Sequence, residues 1–336
     1  MMLFEVRNLT KIYGEKIVLD IKELDFEKGL IYSLVGPNGS GKTTLLEILS
    51  LIIPPTTGRI KYMAKWVDLY GNNLTVLRRK IVMVRQNPIL FTTTVYKNLE
   101  FGLKVRGILK KERERIIADS LNLVGMRSFK DAQAHKLSGG ETQRIAIAQG
   151  LACSPDVMVF DEPTSSVDME NRIAIERVIQ EIKTQKKISV IMTTHNLTQT
   201  SKLSDKVITL FEGRPAPARL ENIFRGEISQ NKDGEKLCLL HNDIRLYLKT
   251  EKTGKMKISI DPLKIKILNH QNHDPAKNIF KGRIVQLTDE ADFIRSICDI
   301  GIPLNILLPK EELKDTRFFI GGEVEIYCPE EDIRVF

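Results

Sequence analysis

Three short stretches of this 336-residue chain combine residue types and spacings that could do chemistry. The first, Gly36-Pro37-Asn38-Gly39-Ser40-Gly41-Lys42-Thr43-Thr44, contains G-x-x-x-x-G-K-S/T without a mismatch. Its glycines let backbone N–H groups wrap phosphates, the Lys42 ammonium can reach β- and γ-oxygens, and the Thr43 hydroxyl can ligate Mg²⁺. The second, Val157-Met158-Val159-Phe160-Asp161-Glu162-Pro163, is an apolar run ending in two carboxylates. Asp161 suits a Mg²⁺ contact through water. Glu162 suits a general base that polarises an attacking water, a role worth roughly 10²–10⁴-fold in rate. The third, Leu137-Ser138-Gly139-Gly140-Glu141, runs straight into Thr142-Gln143-Arg144-Ile145-Ala146. It offers bare amides and a hydroxyl at a helix N-terminus, where oriented N–H groups and the helix dipole hold an anion. One chain therefore carries two anion cradles.

These residues need a scaffold, and the pattern around them supplies one. Leu30 to Val35 reads as a buried strand before the first cradle, and Leu45-Leu46-Glu47-Ile48-Leu49 as the helix after it. Val157 to Phe160 and Ile188-Ser189-Val190-Ile191-Met192 read as further buried strands. Residues 1–219 alternate apolar strands with helical patterns, which predicts an α/β domain on a largely parallel sheet. An amphipathic stretch from Thr94 to Val124 sits between the cradles. Composition changes at Gly213-Arg214-Pro215-Ala216-Pro217-Ala218, marking a linker or domain edge. Beyond it, Asn222-Ile223-Phe224-Arg225-Gly226-Glu227-Ile228 recurs as Asn278-Ile279-Phe280-Lys281-Gly282-Arg283-Ile284. Short alternating strands with glycine turns predict an all-β domain over residues 220–336, with a small barrel in each copy, about 221–268 and 277–336.

Composition excludes several classes. No charged-then-apolar leader begins the chain and no apolar run approaches bilayer length, so a membrane role is expected to be peripheral. The four cysteines are scattered without a C-x-x-C pair, as for reduced thiols in a cytosolic protein. The net charge is +8, yet residues 221–336 hold 18 Lys and Arg against 20 Asp and Glu. The basic excess thus sits on the first domain, where anionic phosphates and headgroups lie, and nucleic acid is not the expected partner.

Taken together, the three stretches resemble those of the ATP-binding subunits of ABC transporters over about the first 215 residues. The resemblance implies a P-loop NTPase domain with a helical subdomain, ATP and Mg²⁺ as ligands, and roles for more residues. Tyr13 resembles the aromatic that stacks on adenine. Gln86, in Val84-Arg85-Gln86-Asn87-Pro88, resembles the glutamine that contacts Mg²⁺ or water and faces the membrane subunit. Ser165-Ser166-Val167-Asp168 resembles the loop by which two ATPase subunits communicate. His195, in Thr193-Thr194-His195-Asn196, matches the switch histidine that senses the γ-phosphate. The family also accounts for the second cradle. Ser138, Gly139 and Gly140 close over ATP held by another subunit, which implies a head-to-tail homodimer with ATP as the glue. The remaining partners implied are transmembrane permease subunits, indirectly a solute-binding protein, and a place at the cytoplasmic face of the membrane.

The paired barrels resemble the regulatory domains of importer ATPases for molybdate, tungstate, sulfate, sugars and polyamines. Ser165 to Asn171, Thr194-His195-Asn196-Leu197 and Gly102-Leu103-Lys104-Val105-Arg106-Gly107 are most similar to the tungstate/molybdate branch. An importer for another of these solutes is the alternative, and a soluble ABC ATPase acting on ribosomes or DNA is the rival class. One departure stands out. Where molybdate-binding barrels carry hydroxyls and amides, this chain reads Asp274-Pro275-Ala276-Lys277-Asn278 and Cys328-Pro329-Glu330-Glu331-Asp332. Carboxylates repel a dianion and offer acceptors where donors are needed, which argues against direct oxyanion sensing there.

Overall fold

The computed structural model describes residues 1–194, 200, 202–216, 221–231, 233–268, 277–290, 293–312 and 318–336. The chain divides into two compact units, Met1–Ala216 and Pro217–Phe336. In chain order the first unit contains β1 (Met2–Tyr13), β2 (Lys16–Glu27), β3 (Ile31–Val35), α1 (Lys42–Leu49), β4 (Thr57–Tyr62), β5 (Lys65–Trp66), α2 (Leu74–Arg78) and β6 (Ile81–Val84). It continues with α3 (Val95–Val105), α4 (Lys110–Leu123), α5 (Gly139–Ala152), β7 (Val157–Phe160), α6 (Met169–Lys186), β8 (Ser189–Thr193), β9 (Lys206–Phe211) and β10 (Arg214–Ala216).

Two sheets organise this unit. One is antiparallel, in the order β2-β1-β4-β5. The other runs β10-β9-β3-β8-β7-β6, with β10 antiparallel at its edge and the remaining pairs parallel. Every residue of β3, β7 and β8 is buried, as near-continuous apolar runs require when both faces of a parallel sheet are covered. One apolar core joins β1, β2, α1 and one face of the parallel sheet through Phe4, Phe26, Leu45 and Ile191. The other joins the opposite face to the helices through Phe160, Met192, Ile145 and Ile179.

The amphipathic stretch between the cradles becomes two helices. Thr94 caps α3 by accepting from the Lys97 amide at 3.3 Å. Gly107 then takes φ 75°, a left-handed value that lets the chain turn before α4 at little steric cost. Val95, Leu99 and Leu103 of α3 and Ile117 and Leu121 of α4 are buried in one core with Ile145 and Ala148 of α5.

The second unit is all-β: β11 (Ile223–Gln230), β12 (Lys236–Leu239), β13 (Arg245–Leu248), β14 (Gly254–Ile260), β15 (Lys266–Leu268), β16 (Ile279–Glu290), β17 (Phe293–Asp299), β18 (Pro303–Pro309), β19 (Glu323–Tyr327) and β20 (Ile333–Val335). The region is all-β, as its sequence predicts, and the two copies of the repeat exchange strands. Two five-stranded antiparallel sheets form, β13-β12-β11-β14-β20 and β15-β19-β16-β17-β18, and each borrows a strand from the other copy. The last strand of the second copy, β20, pairs with β14, and the last strand of the first copy, β15, pairs with β19. A single apolar core containing Ile228, Leu246, Ile258, Cys298, Ile306 and Ile326 serves both sheets.

The repeated Asn and Gly have matching jobs. A Cβ at Gly226 would collide with Cys238, and one at Gly282 with Cys298, so both copies need a bare backbone where the next strand crosses. Asn222 accepts from Asn305 N at 2.7 Å and donates to Asn305 O at 2.8 Å, which ties the first copy to a strand of the second. Asn278 does the reverse, accepting from Tyr247 N and donating to Tyr247 O, both at 2.8 Å. Asn278 is fully buried, so its loss strands a backbone donor and acceptor away from water. We expect Asn278→Ala to destabilise the second unit by on the order of 3 kcal/mol. Chemical denaturation followed by hydrogen exchange across 245–248 checks this, with exposed Arg245→Ala as the near-neutral reference.

Candidate nucleotide site

The site lies at the carboxyl ends of the parallel strands, where open α/β sheets place their ligands. β3 ends at Val35, and the chain then winds through Gly36, Gly39 and Gly41, at φ 143°, 78° and 97°. A Cβ on Gly36 would collide with the Leu210 carbonyl, and one on Gly41 would come within 2.6 Å of Leu19 Cδ2 and 2.8 Å of Val18 O. The loop is thus a tight backbone turn that only glycine can make. Pro37 and Thr44 are half-buried, while Asn38 and Gly39 are exposed. The Ser40 hydroxyl oxygen is buried without a hydrogen-bond partner. Gly41 caps α1 with no side-chain hydrogen bond, and no acidic residue stands in the first turn. No cap or carboxylate therefore competes with an anion for the first-turn amides, and the helix dipole favours negative charge there.

Lys42 Nζ donates to Gly36 O at 2.8 Å and Pro37 O at 3.0 Å. Burial pushes its pKa down, and the nearby Glu162 and Asp161 carboxylates partly restore it. Phosphate oxygens would relieve that desolvation directly, since they supply the negative charge the ammonium lacks.

The acidic pair follows β7. Thr43 Oγ1 donates to Asp161 Oδ2 at 3.0 Å and approaches Oδ1 at 3.2 Å, so the end of the loop and the end of β7 are joined. Thr193, the last residue of β8, donates from Oγ1 to Asp161 Oδ1 at 2.7 Å and accepts from Glu162 N at 2.9 Å. Glu162 itself has φ 47°, a left-handed backbone costing about 1 kcal/mol for a residue with a Cβ. Ser165 Oγ donates to the Glu162 carbonyl at 3.1 Å and accepts from Gln86 Nε2 at 3.0 Å. Lys42, Thr43, Gln86, Asp161 and Glu162 thus belong to one connected site. In the sequence Thr193 figures only as a neighbour of His195, with no role of its own. A hydroxyl at the end of a buried β-branched strand was the available signal, and it gains meaning only from its neighbours in the sheet.

For Mg²⁺ the fit is chemical. Thr43, Asp161 and Gln86 offer hard oxygen donors of the kind Mg²⁺ takes. Among the described residues no group of three or more His, Cys, Asp or Glu could hold a metal ion. The ion's remaining ligands would be nucleotide phosphates and water, its common arrangement in phosphoryl-transfer sites.

The other candidates are placed apart. Tyr13, half exposed, ends β1 opposite Lys16 on the hairpin whose second strand packs on Gly41, and Lys11 Nζ lies 5.0 Å from its ring centroid. Ser138 caps α5 in a reciprocal capping box, Ser138 N donating to Glu141 Oε2 at 2.7 Å and Glu141 N to Ser138 Oγ at 3.3 Å. Gly139 faces Ser166 O, and a Cβ on Gly140 would strike Asn171. The turn's neighbours are therefore the segment after Glu162. His195 lies outside the described residues.

Comparison with known proteins agrees with this geometry. The ABC transporter family model matches residues 19–165, from β2 through the acidic pair to Ser165. The tungstate uptake system ATP-binding protein of Peptoclostridium acidaminophilum is 38% identical over 213 residues, covering 63% of this chain and 96% of that protein. The chain belongs to the ABC transporter family. It is an ATPase of that family's ATP-binding, transport-coupled kind. The molybdate/tungstate import ATP-binding protein of Pyrococcus horikoshii is 29% identical over 349 residues, covering 99% of this chain and 100% of the relative. The Fe(3+) ions import ATP-binding protein of Pasteurella multocida is 34% identical over 221 residues, 64% of this chain and 61% of its own length. Among solved structures, cbiO1 of Clostridium perfringens, part of the ABC transporter complex cbiONQ, superposes with a TM-score of 0.60 at 29% identity, covering 64% of this chain and 87% of that one. A dimeric ATP-binding cassette bound to ADP and phosphate in a post-hydrolysis state gives 0.59 at 28% identity, over 63% and 96%.

Gly36 provides a direct check. Gly36→Ala puts a side chain into the Leu210 carbonyl at a φ that residues with a Cβ avoid. The variant is expected to lose ATP binding by at least about tenfold in calorimetric titration, because a shift of the loop misaims its amides.

Proposed function

We propose that this ATPase powers import of a tetrahedral oxyanion, tungstate or molybdate, as a homodimer beneath two permease subunits fed by a binding protein. The observation that carries the substrate class is the Pyrococcus horikoshii match, which extends through the second unit as well as the first. The Fe(3+) relative aligns over 64% of the chain, too little to span both units.

In this reading the amides of Gly36 to Thr44, with Lys42, hold the triphosphate, and Tyr13 stacks on adenine. Thr43, Asp161 and Gln86 hold Mg²⁺, which when bound neutralises charge on the phosphates. Glu162 orients and activates the attacking water, and His195 contacts the γ-phosphate. Ser138, Gly139 and Gly140 close on the nucleotide of the second copy, so hydrolysis opens the dimer in a ligand-driven two-state switch. The dimeric cassette in the similar solved structure supports the dimeric arrangement. No described helix is long and apolar enough to cross a membrane, and the proposed place is the cytoplasmic face, peripheral to the permease.

The second unit fits a structural or dimerising role better than oxyanion sensing. Glu330, Glu331 and Asp332 form a short turn after β19. Burial, and then these three carboxylates, push the Tyr327 phenol up. That is a negative potential where a dianion would need donors. The other departure, Asp274-Pro275-Ala276, lies outside the described residues, and the next residue, Lys277, is paired with Glu235.

Two measurements test the reading. Membrane vesicles holding the complete transporter should take up labelled tungstate or molybdate in an ATP-dependent manner, with sulfate a poor competitor. Uptake of ferric ion instead would overturn the substrate class. Glu162→Gln should bind ATP, run as a stable dimer in gel filtration with ATP, and lose turnover by roughly 10²-fold or more. Wild-type hydrolysis by that variant would remove Glu162 from its assigned role.

A further inference from the structure

Thr193 stands at the carboxyl end of β8, the strand between β3 and β7. It pairs in register with Leu34 of β3, while the preceding Met192 pairs with Phe160 of β7. Its position therefore lies between the phosphate loop that follows β3 and the carboxylates that follow β7. Its side chain is fully buried, so the hydroxyl has no water to bond and must find its partners in the protein.

The direction of both hydrogen bonds follows from chemistry. An amide N–H can only donate, so Thr193 Oγ1 accepts from Glu162 N at 2.9 Å. The single hydroxyl proton then points at Asp161 Oδ1, at 2.7 Å. One oxygen thus ties the side chain of Asp161 to the backbone of its neighbour.

Both ends of this tie need holding. Asp161 is anchored through its amide to Val84 O at 2.9 Å, and its carboxylate is gripped by Thr43 on one side and Thr193 on the other. Glu162 is in the left-handed region at φ 47°, a conformation that persists where surrounding groups over-determine it. Thr193 secures its N–H, and the Ser165 hydroxyl and amide secure its carbonyl at 3.1 and 3.3 Å. The direction in which the Glu162 Cα–Cβ bond leaves the chain is set by this backbone twist.

We propose that Thr193 is a positioning residue for ATP hydrolysis, fixing the Asp161 carboxylate and the Glu162 backbone relative to each other through one hydroxyl. The proposal rests on the assignment of Asp161 and Glu162 above. Thr193 is not a catalytic residue, since it acts through those two. Valine matches threonine in shape but neither donates nor accepts, so Thr193→Val removes both bonds. Thr193→Ser keeps the hydroxyl.

The test compares wild type, T193V, T193S and E162Q as full-length protein. In the nucleotide-free state, hydrogen exchange of a peptide spanning Glu162 should speed up by roughly tenfold or more in T193V and return near wild type in T193S, because the amide loses its acceptor. ATP affinity without Mg²⁺ should be unchanged, since the phosphate loop is intact. With Mg²⁺, T193V should lower kcat by roughly 10- to 100-fold and raise the Mg²⁺ concentration for half-maximal rate, while KM for ATP stays within about threefold. T193S should recover most of kcat. Exchange at Glu162 unchanged in T193V, or kcat within twofold of wild type at an unchanged Mg²⁺ requirement, overturns the proposal. So does a T193S variant as impaired as T193V, which would leave Thr193 a packing residue. If E162Q turns over like wild type, the catalytic assignment has failed instead. The exchange measurement, which needs no nucleotide, then still decides whether the hydroxyl holds the Glu162 backbone.

Discussion

The Asp161 carboxylate is gripped from two sides by hydroxyls, Thr43 at the start of α1 and Thr193 at the end of β8. These three residues are far apart in sequence, and only one strand order brings them together. β8 must lie between β3 and β7, so that the loop leaving β3 and the carboxylate leaving β7 flank a hydroxyl on the central strand. The fully buried strands follow from that requirement. A parallel sheet covered on both faces holds strand ends rigidly, and the charged chemistry gathers at the one edge where backbone amides and side chains emerge.

The same grip explains why the region tolerates a strained backbone. Glu162 occupies left-handed space without being glycine, and its peptide is held at both ends, by Thr193 and by Ser165. Ser165 also accepts from Gln86, so the glutamine after β6 and the loop after β7 share one hydroxyl. Any movement of either segment changes what holds the Glu162 carbonyl. Strain and hydrogen bonds here are two descriptions of one arrangement, in which a few donors hold a turn the chain would otherwise avoid.

The second unit solves a different problem, how two similar sequences make one core. Each copy sends its final strand to the other's sheet, and each copy's leading asparagine clamps a strand of the other. Two separate barrels of some fifty residues would each bury a smaller fraction of their surface than one larger unit does. Sharing one core buries more apolar area per residue, a gain that matters most for short chains.

Much of this was readable from the residues alone. The phosphate loop, the Asp161–Glu162 pair and the capped turn at Ser138 are contiguous motifs whose chemistry depends on neighbours within a few positions. The buried strands announced themselves as apolar runs for the same reason, and Gly226 and Gly282 marked the repeat. The sequence by itself therefore determined the ATPase chemistry and the class of each unit. The tertiary structure alone decided that Thr193 completes the Asp161 site, that Ser165 joins Gln86 to Glu162, and that the repeats exchange strands. The physical reason is that strand order and pairing are set by contacts between residues distant in the chain, and the local pattern of a strand does not specify which neighbour it will take.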